Sequence, residues 1–160
     1  ELPTTGLADW TILYTGVGKV NAAINLMAAL TEKKPDLLIN YGTAGAIKTG
    51  LTGIVEVGQS VQCDMDARPL GIALGATPFE TETERFTLSD SPLICGTADR
   101  FVTSAPELTC DLVDMELYAL AKIAKREQIP LKSLKFISDN ADDSSKQDWK
   151  TAFQFSQYPK

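Results

Sequence analysis

The sequence predicts a single α/β domain over residues 1–160, built on a largely parallel central sheet. Short apolar runs of strand composition alternate with stretches whose apolar residues recur every three to four positions. At 160 residues, 44% hydrophobic and 22% charged, the chain has the size and balance of one domain with a sizeable core. No internal repeat or low-complexity linker divides it.

The elements follow in order. TILYT, residues 11–15, reads as a strand ending at Gly16. Val20, Ala23, Ile24, Met27 and Leu30 then recur at helical spacing, and Pro35 stops that helix. DLLINY, residues 36–41, is a short apolar run of the kind covered on both faces, and it ends in the glycine turn GTAG. Residues 54–63, IVEVGQSVQC, form one strand bent at Gly58, and residues 64–92 are rich in loops. PLICG, residues 92–96, reads as a strand. Residues 110–130 carry the strongest helical pattern, with Leu112, Met115, Ala119, Leu120 and Ile123 on one face and Pro130 behind them. LKFIS, residues 134–138, is the next strand, and an amphipathic segment with Trp149 and Phe153 closes the chain. Ligands of open α/β sheets bind at the carboxyl ends of strands, where this reading puts TGVGK, YGTAG and SDNADD.

Composition narrows the chemistry. A net charge of −6 without basic clusters argues against a nucleic-acid partner. No apolar run reaches the roughly 18 residues of a membrane span, and no leader pattern opens the chain, so the expected location is the cytoplasm. Cys63, Cys95 and Cys110 form no CxxC pair and read as core residues of a reducing compartment. With no histidine, the chain lacks Ser-His-Asp and Cys-His mechanisms and the common zinc sites. Acid–base work falls to Asp, Glu, Lys, Tyr or Cys.

Single motifs are weak taken alone. TGVGKVN fails the P-loop pattern, because Leu13 stands where the first glycine is required and Val20 where Ser or Thr is. It fails the dinucleotide fingerprint because position 21 is Asn. It remains a glycine turn whose backbone N–H groups face an anion or a hydroxyl. YGTAG is either a tight turn or a place where backbone and the Thr43 hydroxyl approach a ligand. Asp114 and Glu116 suit the start of a helix. Asp139, Asp142 and Asp143 suit a proton-handling site, or, with Ser144 and Ser145, a helix cap; the loop lacks the glycine and distal glutamate of a calcium-binding loop.

Two long blocks taken together are more specific. Residues 15–47, TGVGKVNAAINLMAALTEKKPDLLINYGTAGAI, and residues 114–143, DMELYALAKIAKREQIPLKSLKFISDNADD, resemble the purine nucleoside phosphorylase and nucleosidase superfamily. They are closest to its methylthioadenosine/S-adenosylhomocysteine nucleosidase branch. The resemblance implies a nucleoside phosphorylase-like three-layer sandwich with a mixed, largely parallel central sheet. It also implies a purine nucleoside as the small-molecule ligand, a homodimer or higher homo-oligomer, and neither metal nor organic cofactor.

Roles follow from the same resemblance. Asp139 matches the acid that bonds the purine edge and protonates the leaving base, with Ser138 beside it. Glu116 matches the carboxylate on the ribose hydroxyls and Met115 the side chain beneath the sugar. Phe101 matches the aromatic that stacks on the purine, and Val102 the neighbour whose backbone touches the base. Thr43 and Gly45 match the small-residue loop near the ribose. The chemistry suits these residue types: breaking a C–N glycosidic bond needs a proton for the leaving base and an anion near the developing sugar cation.

The superfamily's phosphorylases carry an arginine where this chain has Asn40, as the nucleosidases do, so the resemblance favours water over phosphate as nucleophile. Asp rather than Asn at 139 favours adenine. The matched blocks begin after the family's first strand, whose end supplies the base that activates water. Glu1 stands nearest that position and is the candidate base, in a domain short of that strand. The alternatives are a phosphorylase, a nucleoside-binding relative without the base, and an α/β scaffold used only for association. The segment around Pro78 and Phe79 is the candidate subunit contact.

Overall fold

A computed structural model describes residues 10–80 and 85–141. Glu1, Asp142, Asp143 and the segment with Trp149 and Phe153 lie outside the described residues. In order, the elements are helix α1 (Lys19–Glu32), strands β1 (Leu38–Ala46), β2 (Ile54–Val57), β3 (Gln59–Gln62), β4 (Arg85–Thr87), β5 (Ile94–Thr97) and β6 (Leu112–Asp114), helix α2 (Leu117–Glu127) and strand β7 (Leu131–Asp139), with one 3-10 turn at Arg68–Leu70. The seven strands form one mixed sheet in the order β2-β7-β1-β6-β5-β3-β4. The β1–β7, β3–β5 and β5–β6 ladders are parallel, and β1–β6, β2–β7 and β3–β4 are antiparallel.

The sheet curls. β2 and β3 are separated in sequence by Gly58 alone, yet β2 is one edge of the hydrogen-bonding order and β3 lies next to the other. Only a sheet whose two ends return towards each other satisfies both facts. The expected single bent strand over 54–63 is therefore two strands. Its bend is also a close approach: a Cβ at Gly58 would lie 1.7 Å from the Ser91 carbonyl oxygen. The Gly58 N–H donates to Leu93 O (2.9 Å), and its carbonyl accepts from Leu88 N (2.7 Å).

Both helices contribute to one main core with the sheet. Ala22, Leu26 and Leu30 of α1 meet Leu117, Leu120 and Ala121 of α2 over Leu112, Cys95 and Val57. Apolar side chains recurring three and four apart give each helix its buried stripe. The α1 stripe differs from the expected one. Val20 and Ile24 are exposed, and Ala22, Leu26 and Leu30 carry the burial.

Four further expectations are corrected. Residues 10–16 form no strand: β1 already has β7 and β6 on its two sides, and TILYT has no ladder among the described residues. The GTAG stretch is not a turn, because β1 runs through it to Ala46 with a register shift between Ala44 and Gly45. The first six residues of β1 alternate between half-buried and exposed, so this strand is covered on one face there, not two. Finally, the helix predicted from residue 110 starts only at Leu117. Leu112–Asp114 is fully buried β6, paired with β5 on one side and β1 on the other. Helical spacing of Leu112 and Met115 is coincidental where neighbouring strands supply both sets of backbone partners.

Candidate active site

Strand ends bring the candidate residues together. Gly45 is the register partner of Asp139, the last residue of β7, and of Val113 on β6, so the ends of both strands converge on one position without a side chain. That vacancy is filled. A Cβ at Gly45 would stand 2.8 Å from Asp139 Oδ2 and 3.1 Å from the Ala141 Cβ. The Asp139 side chain is buried and held at both oxygens: Ser138 Oγ donates to Oδ1 (2.7 Å), and Ala141 N donates to Oδ2 (3.0 Å). Asp139 borders a small cavity of about 210 Å³ with Leu51, Thr52, Ile137, Ser138 and Asn140. A larger concavity of about 660 Å³, between Ala124 and Pro130, holds none of the candidate residues.

Glu116 precedes α2, and its carboxylate reaches the start of α1, where Gly18 N donates to Oε1 (2.8 Å). Gly18 has φ +89°, which an L side chain rarely adopts. Next to it, Lys19 N donates to Asp99 Oδ1 (2.8 Å). Lys19 Nζ binds Asp64, which also accepts from Asp99 N (2.7 Å). The anions at the α1 N-terminus are thus the chain's own carboxylates, as the aligned peptide dipoles favour. Burial, and then the nearby Asp114, push the Glu116 carboxyl above the usual glutamate range. The Gly18 N–H and Lys135 oppose them.

Phe101 follows Asp99 by two residues and is 41% exposed. Val102 is buried with Val113, Cys110 and Ala141 in a second apolar cluster, which ties the Phe101 loop to the Asp139 end of β7. Met115 is half-buried between β6 and Glu116. Thr43 stands apart. It is exposed, opposite Phe136 in the β1–β7 ladder, on the other face from its neighbour Gly42. Asn40 faces its partner strand, with Ser133 Oγ donating to its Oδ1 (3.0 Å).

Several residues of this site escaped the sequence reading. Lys19, Asp64 and Asp99 are scattered along the chain. Asp114 suits a helix start by sequence, and its Oδ2 does accept the Leu117 N–H of α2 (2.9 Å). Its partner Lys135 carried a signal: it is a lysine inside the apolar run LKFI.

Residues 4–72 match the profile of the phosphorylase superfamily. The chain is 31% identical to the 5′-methylthioadenosine/S-adenosylhomocysteine nucleosidase of Haemophilus influenzae, over 84% of this chain and 69% of that protein. It belongs to the family of these nucleosidases. Among solved structures, it is similar to the Neisseria meningitidis nucleosidase in complex with methylthio-immucillin-A (TM-score 0.75, 26% identity, 86% of this chain and 71% of that one). It shares its fold with a mutant Helicobacter pylori nucleosidase holding 5′-methylthioadenosine in its active site (TM-score 0.80, 21% identity, 89% of this chain and 72% of that one).

Proposed function

We propose that this chain is a purine nucleosidase that hydrolyses the N-glycosidic bond of adenine nucleosides such as 5′-methylthioadenosine or S-adenosylhomocysteine, with residues 1–160 as a single domain. The observation that carries the reading is the Asp139 carboxyl, fixed at both oxygens above the side-chain gap of Gly45. In this reading Asp139 hands a proton to the departing adenine. Glu116 binds the ribose hydroxyls and lowers the energy of the developing sugar cation. Met115 packs beneath the sugar, Phe101 stacks on the base, and Val102 and Ser138 complete the base side. Glu1 remains the proposed base for water, with Thr43 and Gly45 as proposed contacts of the ribose side. Asn40 in place of an arginine supports water as nucleophile.

Adenine release from 5′-methylthioadenosine, followed by chromatography, tests this. The expected result is equal release with and without phosphate, yielding the free 5-thiosugar. Release that requires phosphate and yields a sugar 1-phosphate refutes hydrolysis. The raised Glu116 carboxyl adds a pH expectation. An acid with a raised pKa ionises only above that raised value. KM therefore climbs as pH falls, beginning above the ordinary glutamate range near about 4.3. Glu116→Gln abolishes that limb and raises KM about tenfold or more, from loss of a charge-assisted hydrogen bond. A wild-type KM that is flat down to the ordinary range contradicts the assignment.

The assembly is proposed as a homodimer or higher homo-oligomer with Phe79 at the contact. Phe79 is fully exposed at φ +64°, and a large apolar side chain held outwards in that way suits a subunit interface. A cytoplasmic location is proposed on the free, buried thiols of Cys63, Cys95 and Cys110. Among the described residues no helix is long and apolar enough to cross a membrane.

A further inference from the structure

Under the acids of the site lies a buried ion pair that the proposed reaction does not use. Lys135 on β7 and Asp114 on β6 belong to strands on either side of β1. The lysine side chain crosses β1 over Gly42, where a Cβ would stand 3.6 Å from Nζ, and donates to Asp114 Oδ2 (2.7 Å). The side chains are 1% and 0% exposed. Asp114 also accepts from Thr97 Oγ1 at Oδ1 (2.6 Å) and from Leu117 N at Oδ2 (2.9 Å), and Thr97 Oγ1 accepts from Tyr118 N (3.0 Å). Two N–H groups that the first turn of α2 leaves unpaired are thereby satisfied.

A pair of this kind is poorly explained by stability, since an apolar pair of similar volume is often as stable. Its position suggests a different use. Glu116 is the residue immediately before α2, so the network fixes its backbone while Gly18 N fixes its carboxylate. The groups that act on that carboxylate are Asp114 on β6, Lys135 on β7 and the Gly18 and Met115 N–H groups; Cys95 on β5 faces Lys135, and Lys19, Asp64 and Asp99 gather beside Gly18 at the start of α1. Lys19 already binds Asp64 and lies 3.6 Å from Asp99. Lys135 is thus the cation that offsets Asp114.

We propose that Lys135 and Asp114 are paired positioning residues for Glu116: through the start of α2 and through their cancelling charges, they set its place and its charge. The proposal rests on the nucleosidase reading for its link to catalysis. Burial pushes the Lys135 ammonium down, but Asp114, together with Cys95 and Glu116, more than restores it, so the lysine keeps its charge.

The test compares Lys135→Met, Lys135→Arg and the double variant Lys135→Met/Asp114→Asn with wild type. The Glu116 side-chain carbonyl is titrated by ¹³C NMR, and KM is measured against pH. In Lys135→Met, Asp114 faces Glu116 uncompensated, and both midpoints move up by about one pH unit. Lys135→Arg and the double variant return them to within about half of that shift. If Lys135→Met does not fold, Lys135→Arg and the double variant still decide, by the same return to wild type. Unchanged midpoints in Lys135→Met, or an equal upward shift in the double variant, overturn the proposal. A wild type that releases no adenine fails the nucleosidase reading instead, and the NMR titration then decides the pair's effect on Glu116 without substrate.

Discussion

Asp139→Asn lowers kcat for adenine release by about 10²–10⁴-fold, the usual contribution of a positioned general acid. The geometry makes this a clean substitution. Ala141 N is a fixed donor and needs an oxygen, which the asparagine carbonyl provides at the Oδ2 position. The Ser138 hydroxyl donates to Oδ1 in the wild type and turns to accept from the new amide. Volume is conserved above Gly45, where a Cβ would lie only 2.8 Å from Oδ2, so the fold and the small cavity persist. What is lost is the proton for the leaving base. The measurement is single-turnover release, accompanied by a thermal melt. A rate within threefold of wild type, in a protein that melts normally, removes Asp139 from the reaction.

Gly58→Ala has the largest expected effect on stability. The added methyl would meet the Ser91 carbonyl oxygen at 1.7 Å and the Ser91 carbonyl carbon at 2.6 Å, both backbone atoms. Neither can rotate away, as a side chain does. The loop that must move is tied down, because Ser91 Oγ donates to Glu56 O (2.7 Å) and Gly58 N to Leu93 O (2.9 Å). The cost exceeds the roughly 1–3 kcal/mol of ordinary overpacking. For a domain of this size that corresponds to a melting point lower by about 10 °C or more. A melt by circular dichroism within about 2 °C of wild type would show that the seam tolerates the methyl.

These two residues also mark what a linear reading reaches. Asp139 and Glu116 stand in long matched blocks, and β5, β7 and α1 carry local patterns strong enough to name. Gly58 announces a bend but not a seam, because the Ser91 backbone that makes it necessary lies far along the chain. β6 reads as helix for a related reason: three buried residues between two strands take their conformation from partners, and only the assembled sheet supplies those. TILYT fails in the opposite direction, with strand composition but no ladder among the described residues. Lys135 is a lysine inside the apolar run LKFI, yet its meaning depends on Gly42 leaving a passage to Asp114.

The position of β7 has a consequence for how the chain acquires activity. Asn40 on β1 bonds Ser133 on β7 across 93 residues, and that ladder joins the described sheet's centre to its most carboxyl-terminal strand. Closing so long a loop is slow, and it comes after local helix formation. Asp139 ends β7, so the proposed proton donor is in place only once this ladder has zipped. Regained turnover during refolding therefore follows the slowest structural phase, and helical signal returns before any adenine is released.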